Sequence, residues 1–288
     1  MSRMSRHGDL NRRKVPARGP PPAYAQPVLR ILDAKSGETV PAVSARRALT
    51  RVEVHTSGYD LTALRVLLTT DLLLRALELG GTPVLPLLTA DHHQAELHAA
   101  ATTLGIRPFE DGRDLAAGLG EAQVVRVTAA AGTVPGTGTV PGTGTVPGTG
   151  TVPGTGVTVA VAPADGPDAG VLGTLDDPAA LRLALLDAPR GTAVHLGAGA
   201  LDAAGRRLGR LRQSVAQWAR SPSRPVPEKV RGRLRDAWED DLDVPGVLGV
   251  LRWMENQPEI PDGARFETCA YADRLLALDL TRDLGRTA

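Results

Sequence analysis

One cysteine, Cys269, stands in 288 residues, which excludes an internal disulfide framework and any cysteine-cluster zinc site. Aromatic residues make up only 3%, so leucine, valine and alanine must build the core. Lysine is nearly missing: Lys14, Lys35 and Lys229 are the only three among 33 basic residues. No apolar run approaches the roughly 20 residues that a membrane helix needs, so no membrane association is expected. The N-terminus is basic but lacks the apolar stretch of a signal peptide, and a cytoplasmic location is the expectation. A formal net charge of +1 gives no overall electrostatic case for nucleic acid.

What is present suffices for a large core, since 42% of the residues are apolar. Residues 52–93 read as a strand–helix–strand unit. Val52 to Val54 form a short apolar strand that runs into a Gly58-Tyr59-Asp60 turn. A helix from Ala63 to Leu79 is apolar almost all round, as expected of a helix packed on a sheet, and Gly80-Gly81 ends it. A second strand, Thr82 to Leu88, leads into Thr89-Ala90-Asp91. This unit opens a doubly wound parallel sheet. A more polar helix follows over 91–104, then strands at Gln123 to Thr128 and Val157 to Ala162.

Two segments differ in kind. Residues 1–27 hold six basic residues, one acid and five prolines, and read as a disordered basic arm, either a solvated tail or an RNA-tracking one. Residues 133–156 are four tandem copies of Thr-Val-Pro-Gly-Thr-Gly. Pro-Gly every sixth residue forbids a helix, and the segment has too little to bury to fold alone. From Asp177 onward the pattern is helical. Asp177-Pro178 make a cap and first-turn pair ahead of a helix, and further helices are expected at Asp202–Arg220, Glu228–Asp241, Val244–Asn256 and Phe266–Leu278. The domains expected are thus the arm at 1–27, a sheet domain at 28–175 carrying the repeats, and a helical domain at 176–288.

The order and wording of these segments resemble the class I ligases that activate cysteine, namely cysteinyl-tRNA synthetase and the mycothiol-pathway cysteine ligase. The resemblance rests on Val28 to Asp33, on Tyr59-Asp60, and on Thr89-Ala90-Asp91 after the second strand. It continues with Asp177-Pro178-Ala179-Ala180-Leu181-Arg182-Leu183, the acidic turn Asp240-Asp241-Leu242-Asp243-Val244-Pro245, and the last helix from Glu267 to Leu280. It covers about half the chain. It implies an α/β then α fold: a truncated Rossmann-like sheet of the class I synthetase (HUP) type, followed by a helical bundle.

The resemblance also implies chemistry whose groups this chain does not carry. In the family the first strand ends in a zinc-binding cysteine; here His55 or nothing stands there. Where the family has its His-x-Gly-His signature, the chain reads Leu61-Thr62-Ala63-Leu64-Arg65. Where a two-lysine loop should neutralise the ATP phosphates, ahead of Asp177, no lysine occurs. Removing one transition-state donor typically costs about 10²–10³ in rate. The expectation is therefore a non-catalytic paralogue with a binding or regulatory role. Its candidate ligand pocket is His55, Thr56, Tyr59, Asp60, Thr89 and Asp91. No cofactor is expected and zinc is not. ATP and Mg²⁺ would serve only a residual ligase, with Arg206, Arg207 and Arg210 as its nearest cations. A small-molecule ligand or a protein partner fits the first reading; an RNA-associated accessory role is a third.

Other groups have a structural reading beside the functional one. Tyr59-Asp60 can shape the entry to the helix. Asp91-His92-His93 with Glu96 and His98 can be a metal cluster or a polar helix start. Arg182 reads as a scaffold ion-pair partner, and Trp218, Trp238 and Trp253 as core.

Overall fold

A computed structural model of the chain describes residues 29–44, 49–112, 123–130 and 156–285. The arm expected at 1–27 and all but the last residue of the repeats lie outside them.

A hairpin of β1 (Arg30–Leu32) and β2 (Thr39–Pro41) comes first. Asp33 closes its turn by accepting from the Ser36 amide (3.2 Å) and hydroxyl (3.0 Å). The same carboxylate accepts from the Thr158 amide at 2.8 Å, which fastens the hairpin to the edge of the main sheet. Burial alone would raise this carboxyl, but those donors hold it below the usual carboxylate value.

The main sheet has five parallel strands: β3 (Thr50–Thr56), β4 (Val84–Ala90), β5 (Glu110–Asp111), β6 (Gln123–Ala129) and β7 (Gly156–Val161). Their order is β5-β4-β3-β6-β7. The chain winds outward from β3 in one direction and then restarts at β6 in the other, which is the Rossmann pattern the sequence led us to expect. It also fixes the place where ligands bind in such sheets, the crevice outside the carboxyl ends of β3 and β6. A strand buried on both faces usually reads as a continuous apolar run. Here β3 alternates: Thr50, Val52, Val54 and Thr56 are buried, while Arg51, Glu53 and His55 are half-buried. Glu53 pairs with Arg51 and with Arg126 of β6, each at 3.2 Å.

Helix α1 (Leu61–Leu79) is the hub, with fifteen of its nineteen residues buried. It packs on β3 and β6 with one side and on the later helices with the other. A helix buried all round has no face on which to leave polar groups, so each needs an internal partner. Thr69 and Thr70 donate back to the carbonyls of Arg65 and Val66. Arg65 and Asp71 find partners across the molecule, as described below. Helix α2 (Gln94–Thr103) follows β4.

After β7 a two-stranded parallel pair, β8 (Ala164–Asp165) with β9 (Val194–His195), brackets a 3-10 turn at Ala169–Thr174 and helix α3 (Pro178–Leu186). Helices α4 (Ala200–Trp218), α5 (Glu228–Glu239), α6 (Val244–Glu255) and α7 (Asp262–Leu276) complete the helical region. Asp177 caps α3 as the sequence suggests, accepting from the Ala179 amide at 3.2 Å. One hydrophobic cluster runs without a break from Val52 and Val54 through the leucines of α1 to Leu181 and Leu185 of α3 and Leu275 and Leu276 of α7. Trp218 and Trp238 are core residues, as expected. Trp253 is half-buried and packs against the core cluster, with Arg233 over its ring at 4.0 Å and Lys229 at 5.7 Å. Among the described residues no helix is long and apolar enough to cross a membrane.

Candidate functional site

Six sequence-selected residues gather at the carboxyl edge of the sheet, on two of its faces. His55 is flanked in register by Thr89 of β4 and Thr128 of β6. Side chains alternate along a strand, so His55 and Thr56 project to opposite faces. Thr56 is nine-tenths buried, and among the described residues its hydroxyl has no hydrogen-bond partner. Its carbonyl accepts from the Asp91 amide at 3.1 Å, which draws the end of β4 against the end of β3. Thr89 abuts Gly112, where a Cβ would meet its hydroxyl at 2.4 Å, so a larger residue there would force the Thr89 side chain to shift.

Tyr59 and Asp60 turn the chain into α1. The Asp60 carboxylate accepts from the Ala63 amide at 2.7 Å, and its carbonyl from the Leu64 amide at 3.0 Å. This is an N-cap: it satisfies a first-turn donor and places negative charge on the positive end of the helix dipole. The Tyr59 hydroxyl reaches the Ala169 carbonyl at 3.4 Å, so the 3-10 turn leans over the entry to α1. Burial raises the Tyr59 phenol, and the charges of Asp168 and Glu96 raise it further. The edge is therefore acidic. A helix N-terminus ordinarily offers its amides to phosphate; here a carboxylate already occupies that position. Asp60→Ala is expected to cost about 1 kcal/mol, the usual loss for a cap. Urea denaturation reads it, and an unchanged midpoint would mean that Asp60 does not hold the helix start.

The histidine cluster does not assemble. His93, in the left-handed region at φ 60°, pairs with Glu96 at 3.1 Å, and both are exposed. That hydrogen bond holds the Glu96 carboxyl below its ordinary value. Among the described residues no group of three or more His, Cys, Asp or Glu side chains is placed to hold a metal ion. Cys269 is buried, and burial pushes its thiol well up. An open cleft of about 400 Å³ lies between Pro167 and Val171, beside the start of the 3-10 turn, and Leu196 with the Gly197-Ala198-Gly199 turn ahead of α4. Its titratable lining group is Asp202, so it presents no cation to an anionic ligand.

The segment that stands in place of the expected signature does structural work. Arg65, 1% exposed, donates to carbonyls alone: Leu185 (3.1 Å), Ala162 (2.9 Å), Thr192 (2.6 Å) and Pro189 (2.8 Å), with Ala188 and Pro163 farther out. Burial without a carboxylate lowers its guanidinium to about 10, still cationic at neutral pH. Three other buried arginines act alike. Arg182 joins Asp71 of α1 (2.5 Å) to the Leu276 carbonyl (2.7 Å), the scaffold role its sequence suggested. Arg190 bridges Ala160, Leu32 and Asp241. Arg212 bridges Asp177 and the carbonyls of Leu278 and Asp279. Of the acidic turn, Asp241 thus receives Arg190, and Asp243 caps α6 through the Gly246 amide at 2.9 Å. Arg207 pairs with Asp187 at 2.5 Å.

A doubly wound α/β protein with a helical region, whose switch-point edge is acidic and capped, is the class these features define. The chain matches no protein-family model. It is similar in part to curated L-cysteine:1D-myo-inositol 2-amino-2-deoxy-alpha-D-glucopyranoside ligases. That of Kytococcus sedentarius is 39% identical over 87 residues, covering 28% of this chain and 20% of the relative. That of Parafrankia sp. is 44% identical over 75 residues, covering 26% and 16%. The match thus spans a fifth or less of the length of these relatives. It supports a cysteine-ligase-like relationship for this chain, in agreement with the resemblance drawn from its motifs.

Proposed function

We propose that the protein is a non-catalytic relative of the class I cysteine ligases, and that it acts by binding rather than by adenylation. One observation carries the reading: the N-terminus of α1, where such a ligase would seat its phosphates, holds the Asp60 carboxylate on the Ala63 amide. Asp91, Glu96 and Asp168 add like charge around it, and a triphosphate is repelled there. The next basic residue along the helix, Arg65, is committed to backbone carbonyls and has no donor to offer a substrate. The sequence supplies no lysine between Lys35 and Lys229. The sole cysteine is sealed in the core, so zinc has no thiolate here. What the edge retains is the junction of Thr56, Tyr59 and Asp91, whose hydroxyls and carboxylate suit a neutral or cationic small ligand or a partner's side chain.

Isothermal titration with ATP-Mg²⁺ and with a non-hydrolysable cysteinyl-adenylate analogue tests this. The expected result is no heat with ATP-Mg²⁺ and no pyrophosphate release on adding cysteine. Micromolar binding of both ligands with pyrophosphate release would overturn it and restore an ATP- and Mg²⁺-dependent ligase.

A further inference from the structure

We propose that the exposed face of α4 is an interface for the phosphate backbone of duplex nucleic acid. Charge is segregated in this chain. Residues 200–235 carry ten Lys and Arg against two acids, whereas the rest carries twenty-three against thirty. Nine of those ten are arginines. The structure sorts them. Arg207, Arg212, Arg231 and Arg235 are paired with Asp187, Asp177, Glu228 and Glu239. Arg206, Arg210, Arg220 and Arg224 are exposed, and among the described residues their guanidiniums have no partner.

The spacing makes a stripe. Ala204, Leu208, Arg212, Val215 and Trp218 are the buried side of α4. Arg206, Arg210 and, just past the helix end, Arg220 fall on the opposite side, with exposed Gln213 and Gln217 between them. At 1.5 Å per residue the stripe runs about 21 Å from Arg206 to Arg220. Arginine and glutamine are phosphate-contacting side chains, and Gly209 leaves the surface open to close approach, since a Cβ there would meet nothing within 4 Å.

Two features favour nucleic acid over an acidic protein, and its backbone over its bases. A protein interface gains most of its affinity from buried apolar or aromatic anchors. The exposed large apolar side chains among the described residues are Leu32, Leu49 and Leu284, none of them on α4. Stacking on bases needs an open aromatic face, yet Trp218 and Trp238 are buried and Trp253 is covered by Arg233. A rod of closely spaced negative charge satisfies a straight row of guanidiniums without either.

The test uses the full chain and fluorescence anisotropy with 20-base-pair RNA and DNA duplexes of one sequence, over about 50–200 mM KCl. Each phosphate contact contributes about −0.9 to the slope of log K against log salt, so four contacts lose about a hundredfold in affinity over that range. Arg206→Gln/Arg210→Gln/Arg220→Gln should flatten the slope by about 2.7 while the melting curve stays unchanged. The variant keeps the six cations of residues 1–27, so the change in slope reports the stripe alone. Binding to either duplex with that flattening supports the interface. No binding at the lowest salt, or a slope the triple variant leaves intact, overturns it. Displacement of the duplex by poly-glutamate at equal charge concentration would assign the stripe to an acidic protein and overturn it as well.

Discussion

Replacing Arg65 by methionine should cost about 4–5 kcal/mol, a third or more of the 5–15 kcal/mol by which a domain is usually stable. Methionine matches the arginine stem but ends short of the guanidinium plane, so the stem's packing is kept and a small void adds to the cost. What is lost is a set of donors. The guanidinium has five N–H groups in a rigid plane, and here they serve carbonyls from the end of β7, the end of α3 and the turn before β9. A buried carbonyl left without a donor costs about 1–3 kcal/mol. The surface turn around Thr192 can rehydrate, which keeps the total below the sum of the parts. Arg65→Lys keeps the charge but brings three donors from a single nitrogen, and should recover about half of the loss. Guanidinium denaturation of the three proteins gives the ranking directly. A methionine variant as stable as the parent would show that the carbonyls need no clamp.

Asp71→Asn should cost about 3–5 kcal/mol at pH 7, because it leaves the wholly buried Arg182 without its counter-charge. Burial alone would raise the Asp71 carboxyl. The charges of Arg182 and Arg75, and their hydrogen bonds at 2.5 and 2.8 Å, overcome this and hold it below the ordinary value. Arg182 is itself lowered, by burial, against the pull of Asp71. The sign for Asp71 follows from linkage. An unfolded aspartate titrates near about 3.9, so its contribution is fully present above that pH and disappears as pH falls through the lower folded value. Denaturation at pH 7 and again near pH 3 should therefore show the gap between wild type and Asp71→Asn narrowing in acid. A gap that stays constant would place the cost of the substitution in something other than the carboxylate's charge.

The elements with a repeating physical signal were legible in the sequence. The helix drawn from Ala63 to Leu79 lies at Leu61–Leu79, and the strand drawn from Thr82 to Leu88 lies at Val84–Ala90. Asp177-Pro178 marked the start of α3 because capping chemistry is local. The pairing of β8 with β9 was not legible, since two-residue strands have no period and their partners lie about thirty residues apart. Arg65 was visible only as a residue where a signature was missing. Its partners are carbonyls, which every residue owns, so nothing in the sequence marks Leu185 or Thr192 as acceptors. Trp253 has the spacing of a core residue and packs against the core, but helical spacing does not show that Arg233 covers its outer face. At the sheet edge, Tyr59-Asp60 could be read as turn or as pocket from the sequence. The 2.7 Å bond to Ala63 gives Asp60 the first role.

The clamp on α1 also sets an order of events while the chain is being made. Arg65 leaves the ribosome early, but Ala162, Leu185 and Thr192 follow 97, 120 and 127 residues later. At 5–20 residues per second those delays run from roughly 5 to 25 s. Through that interval the helix with fifteen buried residues has β3, β4 and α2, and later β6, to lean on, and its cation has none of those carbonyls to hold. The centre of this protein is thus locked late, by residues made long after the helix they hold.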